Sequence, residues 1–389
     1  MNAAGRRRRL LTIGHSYVVG LNRRLAHELA KTGEWDVTAV APARFRGDFA
    51  WHVAAPLPDE RCTLVTVPVH FSGRVHLMLY GRRLRQLLRE PWDLVHCWEE
   101  PYVAAAAQIA AATPRQTPLV FATFQNIDKR YPPPFNWFER YAMSRADGVI
   151  AFGQTVFDVL ARRGLSPAHT RVIPPGVDAE RFQPDRAARA EIRASLGWHD
   201  DAPVVGYLGR FVPEKGLATL TDALDRVTTP WRALLVGSGP LEPSLRAWAR
   251  KYGGRVAIAP SVGHDDVPRW LNAMDMLCAP SRTTPAWREQ FGRMLIEAFA
   301  CGVPVVASNS GEIPLVVADA GVVVPEGDAP LWARAIGDLL TDARRREDLS
   351  ARGRQRVLST YGWPVVARQH SAFFDEVIHG SSRAGAHVA

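Results

Sequence analysis

Short apolar runs alternate with longer amphipathic stretches along almost the whole chain. In the first half, runs at 10–13, 36–40, 63–67, 94–97, 119–123, 148–152 and 170–173 predict strands, with helical patterns such as 21–31 and 77–89 between them. The alternation restarts at Val204, with further runs at 233–236, 256–259, 276–279, 303–307 and 321–324. Apolar runs punctuated by helices predict parallel α/β structure with helices covering the sheet faces. Between the halves, Pro174, Pro175, Gly176, Val177 and Asp178, followed by Arg181, Phe182 and Pro184, read as an extended crossover. The expected domains are residues 1–177 and 178–362, then a terminal helix over 363–380; the small, polar residues 381–389 are expected to be a disordered tail.

Candidate chemistry concentrates in the second half. Glu289 and Glu297 stand eight residues apart around Phe291 and Gly292. A helix is expected to open at Gly292 and run to about Ala300, stopped by Gly302, with the strand at 303–307 after it. Glu289 then lies in the loop and Glu297 about one turn inside the helix. A helix start offers free N–H groups and partial positive charge, which suit a phosphate. One glutamate on each side can bind hydroxyls, and a nucleotide-sugar presents that order: sugar, diphosphate, ribose.

A second block runs from Val204 through Gly209, Arg210, Pro213 and Lys215 to Gly216, an apolar strand entering a loop with two cations. An arginine fork and a lysine point charge can together neutralise a leaving diphosphate. These two blocks, with Pro304 closing the first, resemble the Glu-x7-Glu and Gly-Arg-x-x-x-x-Lys-Gly motifs of the retaining glycosyltransferases of family 4. The resemblance covers most of the chain and is strongest from about Arg171 to Pro325. It implies the GT-B architecture, two Rossmann-like domains facing across a cleft, with the terminal helix crossing back to the first domain. It also implies transfer of a sugar from a nucleoside diphosphate to an acceptor hydroxyl, with the leaving phosphate taking the acceptor's proton. Arg210, Lys215, Glu289 and Gln125 would be catalytic, and Glu297, Phe291, Gly292, Gly209 and Gly20 would bind the donor.

Two positions depart from the family pattern. The loop after the first strand carries one glycine, Gly20, where relatives have a pair, so Gly14 or His15 would share its work. Gln125 stands where relatives carry a histidine that contacts the transferred sugar; an amide cannot titrate, so it would act only as a hydrogen-bonding group. Trp287 is a candidate to stack on a sugar face. Glu99 and Glu100, after the strand at 94–97, and Lys129 and Arg130, in a segment mixing cations with aromatics, are acceptor-side candidates.

The net charge of +9 is concentrated early: residues 1–180 hold 23 Lys and Arg against 16 Asp and Glu, the remainder 25 against 23. The first half should attract anionic partners, and no nucleic-acid motif accompanies it. The expected partners are a nucleoside-diphosphate sugar, a glycan or lipid-linked acceptor, and an anionic membrane surface. On one helical stripe over 77–89, Leu77, Tyr80, Leu84, Leu87 and Leu88 are ringed by Arg82, Arg83, Arg85 and Arg89, a pattern that suits lipid contact. No run has the length of a membrane span, and the stretch after Arg9 is too broken for a signal peptide. Cys62, Cys97, Cys278 and Cys301 lack metal-ligand spacing and read as free thiols of a cytoplasmic protein. No metal or cofactor is expected. The competing readings are another GT-B enzyme, a phosphorylase or nucleotide-sugar epimerase, and a sugar-nucleotide-binding protein without turnover.

Overall fold

A computed structural model describes residues 6–47, 51–165, 169–199 and 201–386. The chain forms two compact units, one of residues 1–174 with 363–389 and one of residues 175–362.

The first unit holds a seven-stranded parallel sheet of β1 (Arg8–Ile13), β2 (Trp35–Pro42), β3 (Thr63–Val67), β4 (Leu94–Cys97), β5 (Leu119–Thr123), β6 (Gly148–Ala151) and β7 (Thr170–Val172), in the spatial order β7-β6-β5-β4-β1-β2-β3. Every residue of β4, β5 and β6 is buried, the signature of strands covered on both faces. The strand order reverses between β1 and β4, where Ile13 is in register with Cys97.

Three elements of the first unit differ from the sequence expectation. The helix expected over 21–31 begins as a 3-10 turn, Gly20–Arg23, and becomes α1 only over Arg24–Lys31. The buried Arg23 guanidinium bonds the Tyr17 and Ala55 carbonyls and Glu60, which ties this entry to the preceding loops. The helix expected over 77–89 is broken. Leu79–Tyr80 pairs antiparallel with Val69–His70, and Gln108 bonds both backbone groups of Tyr80, so the α-helix is confined to α2 (Arg82–Leu88), after a 3-10 turn that ends at Leu77. Its apolar positions Leu84 and Leu88 are buried in the core with Tyr80, while Arg82, Arg83, Arg85 and Arg89 are exposed; no continuous apolar stripe faces outward. The last helix extends through Ala386, past residue 380 and into the expected disordered tail, of which 387–389 lie outside the described residues.

That last helix, Trp363–Ala386, belongs to the first unit. Its Val366, Phe373, Phe374 and Val377 share a core with Leu25, Leu29 and Trp35, and Trp35 Nε1 donates to Ser371 Oγ at 2.8 Å. The second unit holds a six-stranded parallel sheet of β8 (Val204–Leu208), β9 (Arg232–Val236), β10 (Val256–Ala259), β11 (Met276–Ala279), β12 (Val305–Ser308) and β13 (Gly321–Val324), ordered β10-β9-β8-β11-β12-β13. Its order reverses between β8 and β11. The strand expected from Val303 starts two residues later because Val303 N still bonds the helical Ala298 carbonyl. Among the described residues, no helix is long and apolar enough to cross a membrane.

Candidate functional site

In open parallel sheets, ligands settle beyond the carboxyl ends of the strands where the order reverses. In the second unit that place lies between the loops after β8 and β11. The β8 loop ends in a single 3-10 turn, Pro213–Lys215, followed by Gly216 at φ +68°. A Cβ on Gly216 would stand 1.8 Å from the Pro280 carbonyl oxygen, so only glycine lets the two loops meet. Arg282 N donates to the Glu214 carbonyl at 2.8 Å across the same contact. The result is one polar cluster: Lys215 Nζ lies 2.6 Å from Glu289 Oε2, which also accepts from Ser281 Oγ at 2.8 Å. Glu289 is buried, and its backbone is fixed by Gly311, where a Cβ would lie 2.0 Å from the Glu289 carbonyl oxygen. The half-buried Trp287 ring stands 4.9 Å from the Lys215 ammonium, a cation–π contact rather than a bare stacking face. Arg210 is freer: its side chain is 56% exposed and its ion-pair partner, Glu214, is 3.9 Å away. Gly209 bonds through its N–H to Val236, and Tyr207 Oη donates to the Arg210 carbonyl, fixing the loop backbone beneath that guanidinium.

Glu297 sits inside the helix Arg293–Ala300, whose N-cap is Gly292 in left-handed conformation. Burial pushes the Glu297 carboxyl up in pKa, while Arg293 and Arg181 pull it down. His264 Nδ1 is 4.0 Å from Glu297 Oε1; burial first, then Arg293 and Arg181, hold this imidazole down at about 4. The Phe291 side chain is turned away from any donor. Its ring is in the core, edge-on to Tyr361 at 5.7 Å, so only its backbone can face a ligand. Ser281 and His264 went unmarked in the sequence. Ser281 is simply the second residue after β11, and nothing local distinguishes His264.

The first unit presents its own reversal point between β1 and β4. Glu99 is buried and occupied: Oε1 accepts from His15 N–H at 2.6 Å and Tyr80 Oη–H at 2.7 Å, and Oε2 lies 2.5 Å from His15 Nδ1. Glu100 accepts from Thr123 Oγ1 at 2.5 Å and Phe124 N at 2.8 Å, and burial pushes its pKa up. Glu99 is closed off by these internal hydrogen bonds, whereas Glu100, half-buried, accepts two internal bonds and still lines a cavity. Gln125 Nε2 donates to Tyr131 Oη, whose ring stacks on Tyr102 at 4.1 Å. Gln125, Glu100, Tyr102, Glu139 and Arg163 line a cavity of about 150 Å³. Lys129 and Arg130 are exposed, with the Lys129 carbonyl held by Arg163. Gly20 packs on Leu57, which a Cβ would meet at 2.8 Å. The four cysteines are buried free thiols.

Residues 21–181 match the profile of Glycosyltransferase Family 4, and residues 188–356 match that of Glycosyl transferases group 1. Over 221 residues the chain is 38% identical to a GDP-mannose-dependent alpha-(1-6)-phosphatidylinositol monomannoside mannosyltransferase of Mycolicibacterium smegmatis, covering 54% of this chain and 56% of the relative. It is 33% identical over 242 residues to a D-inositol 3-phosphate glycosyltransferase of Xylanimonas cellulosilytica, covering 59% and 57%. These alignments span little more than half the length of each relative. Sucrose-phosphate synthase from Thermosynechococcus elongatus shares the fold, with TM-score 0.74 and 22% identity over 96% of this chain and 100% of that one. With one glycosyltransferase profile matched in each half of the chain and two parallel-sheet α/β units, the chain has the GT-B architecture.

Proposed function

We propose that the protein is a retaining glycosyltransferase that takes a sugar from a nucleoside diphosphate and gives it to a hydroxyl of a polyol-containing glycolipid or glycan precursor. The observation that carries this reading is the Lys215–Glu289 pair at the reversal point of the second sheet. Lys215 and Arg210 supply positive charge for the diphosphate, aided by the N–H groups at the start of the helix Arg293–Ala300. Glu289 accepts hydroxyl hydrogens from the sugar and Glu297 from the ribose. In the transfer, the bond from the anomeric carbon to the diphosphate oxygen breaks. The acceptor oxygen bonds that carbon on the same face, and its proton passes to the departing diphosphate. Gln125, which cannot take a proton, is left to hydrogen-bond the sugar. Charge neutralisation by these side chains assigns no step to a metal.

Both relatives' names specify an inositol-containing acceptor, which supports a cyclitol or its lipid-linked form as the acceptor class. The test is release of nucleoside diphosphate from a panel of donors, GDP-mannose first, with D-inositol 3-phosphate or phosphatidylinositol monomannoside added. Acceptor-dependent release giving a product of the donor's anomeric configuration is expected. An inverted product would reject retention. Donor binding without release under any condition would favour a non-catalytic sugar-nucleotide-binding protein.

A further inference from the structure

Lysine is scarce in this chain: it stands at 31, 129, 215 and 251, against 44 arginines. Lys215 is the sheltered one, its side chain 14% exposed where those of Lys31 and Lys251 are 52% and 60% exposed and Lys129 lies on the surface. An ammonium drawn out of water needs partners for its charge. Glu289 Oε2 is one, at 2.6 Å, and the Trp287 ring is another, its centroid 4.9 Å from Nζ. The two differ in kind. A carboxylate cancels the charge it attracts, whereas an aromatic face draws a cation through its quadrupole and leaves the net charge in place. Held in part by a ring, Lys215 keeps positive charge for a phosphate that a second carboxylate would remove.

The loop that carries the ring is pinned along its length. Thr284 and Trp287 close a two-residue turn around Pro285 and Ala286. Thr284 N–H donates to the Trp287 carbonyl at 2.7 Å, and Trp287 N–H donates back to the Thr284 carbonyl at 3.3 Å and to Thr284 Oγ1 at 3.0 Å. Proline at the first turn position fixes its own φ. Before the turn, Ser281 Oγ bonds Glu289, Arg282 N–H bonds the carbonyl of Glu214, the neighbour of Lys215, and Thr283 gives its N–H and its hydroxyl to Glu326. Two residues after Trp287, Glu289 closes the loop on Lys215 itself. We infer that Trp287 is a positioning residue that holds the Lys215 ammonium in place for the donor diphosphate. When the diphosphate arrives, the ammonium turns from Glu289 to a phosphate oxygen while staying against the ring, and Glu289 is released to the sugar hydroxyls. This rests on the reading that Lys215 receives the diphosphate.

The test is a double-mutant cycle in the full chain: Trp287→Leu, Lys215→Ala and the two combined, with Trp287→Phe as the variant that keeps an aromatic face. Labelling lysine with carbon-13 at Cε gives one NMR signal for each of the four lysines. In wild type the protons of the Lys215 signal, identified by its loss in Lys215→Ala, should lie upfield of the other three through the ring current of Trp287. They should stay upfield when GDP or UDP is added and join the others in Trp287→Leu. In the transfer assay Trp287→Leu should lower kcat about tenfold, the worth of a partly sheltered cation–π contact, and weaken binding of GDP or UDP severalfold. Trp287→Phe should recover most of both losses. Added to Lys215→Ala, Trp287→Leu should cost nothing further, because the ring acts through the ammonium. Coupled losses of nucleoside-diphosphate affinity in an enzyme without turnover would reject the transfer reading yet keep this inference. Losses that add, as from a ring acting on the sugar alone, or a Lys215 signal lying among the other three in wild type, would overturn it.

Discussion

Lys215 Nζ and Glu289 Oε2 lie 2.6 Å apart across 74 residues of sequence, in side chains only 14% and 9% exposed. A pair this sheltered from water interacts strongly, and removing either member leaves a partly buried charge without its partner. The pair ties the loop after β8 to the loop after β11.

Gly216→Ala should damage this site without touching a charged group. The substitution puts a side chain at φ +68° and a Cβ against the Pro280 carbonyl. A loss of about 2–4 kcal/mol is expected from left-handed strain and overpacking together. Chemical denaturation measures it, and transfer activity should fall with it.

The two glutamates should separate by ligand. Glu297, buried inside the helix and near His264, is assigned to the ribose, so Glu297→Ala should weaken binding of the bare nucleoside diphosphate. Glu289→Ala should leave that binding within about threefold while abolishing transfer, the mark of an interaction with the sugar alone. Calorimetric titration decides it, and equal losses would end the division.

The motifs were legible because they are local. Gly209 to Gly216 and Glu289 to Glu297 each hold their charged residues and glycines within a few positions, and the alternation of apolar runs matches both parallel sheets. Contacts made by tertiary packing were not legible. Nothing near Glu99 signals that its carboxylate is filled by His15 and Tyr80. Likewise, the apolar periodicity over 77–89 has the same sequence appearance whether it faces lipid or, as for Leu84 and Leu88, the core. The direction of the Phe291 ring, into the core, is likewise set by packing rather than by its motif position.

Acid should unfold the first unit through its buried histidines. His96 and His370 are fully buried on facing elements, and burial lowers both, with His370 falling to about 4. The folded state keeps them neutral while the unfolded chain takes up protons near 6.5, so stability is full above that pH and declines below it. With two such groups the slope approaches about 2.7 kcal/mol per pH unit in the window from 6.5 toward 5. His15 works in the opposite sense: its raised pKa favours the folded state below 6.5 and loses that benefit as pH rises. Urea denaturation across this window should show a shallower slope for His370→Phe.

Membrane contact, if carried by α2, should be electrostatic only. Its arginines are exposed but its leucines are consumed by the core, so no apolar anchor remains. Sedimentation with anionic vesicles at low salt should show binding that salt removes and that Arg82→Glu, Arg85→Glu and Arg89→Glu together reduce. Binding that persists in high salt would point to another surface, such as the exposed Trp137 and Tyr141.

The most direct test of the account is steady-state transfer by wild type and by Lys215→Ala and Arg210→Ala, with release of nucleoside diphosphate as the readout. Each variant should lose roughly two to three orders of magnitude in kcat, the cost of one charge-assisted contact to a developing anion. Arg210→Ala should do so with its melting temperature unchanged, because that side chain is largely exposed. Full activity in both variants would contradict the assignment of the diphosphate to this site.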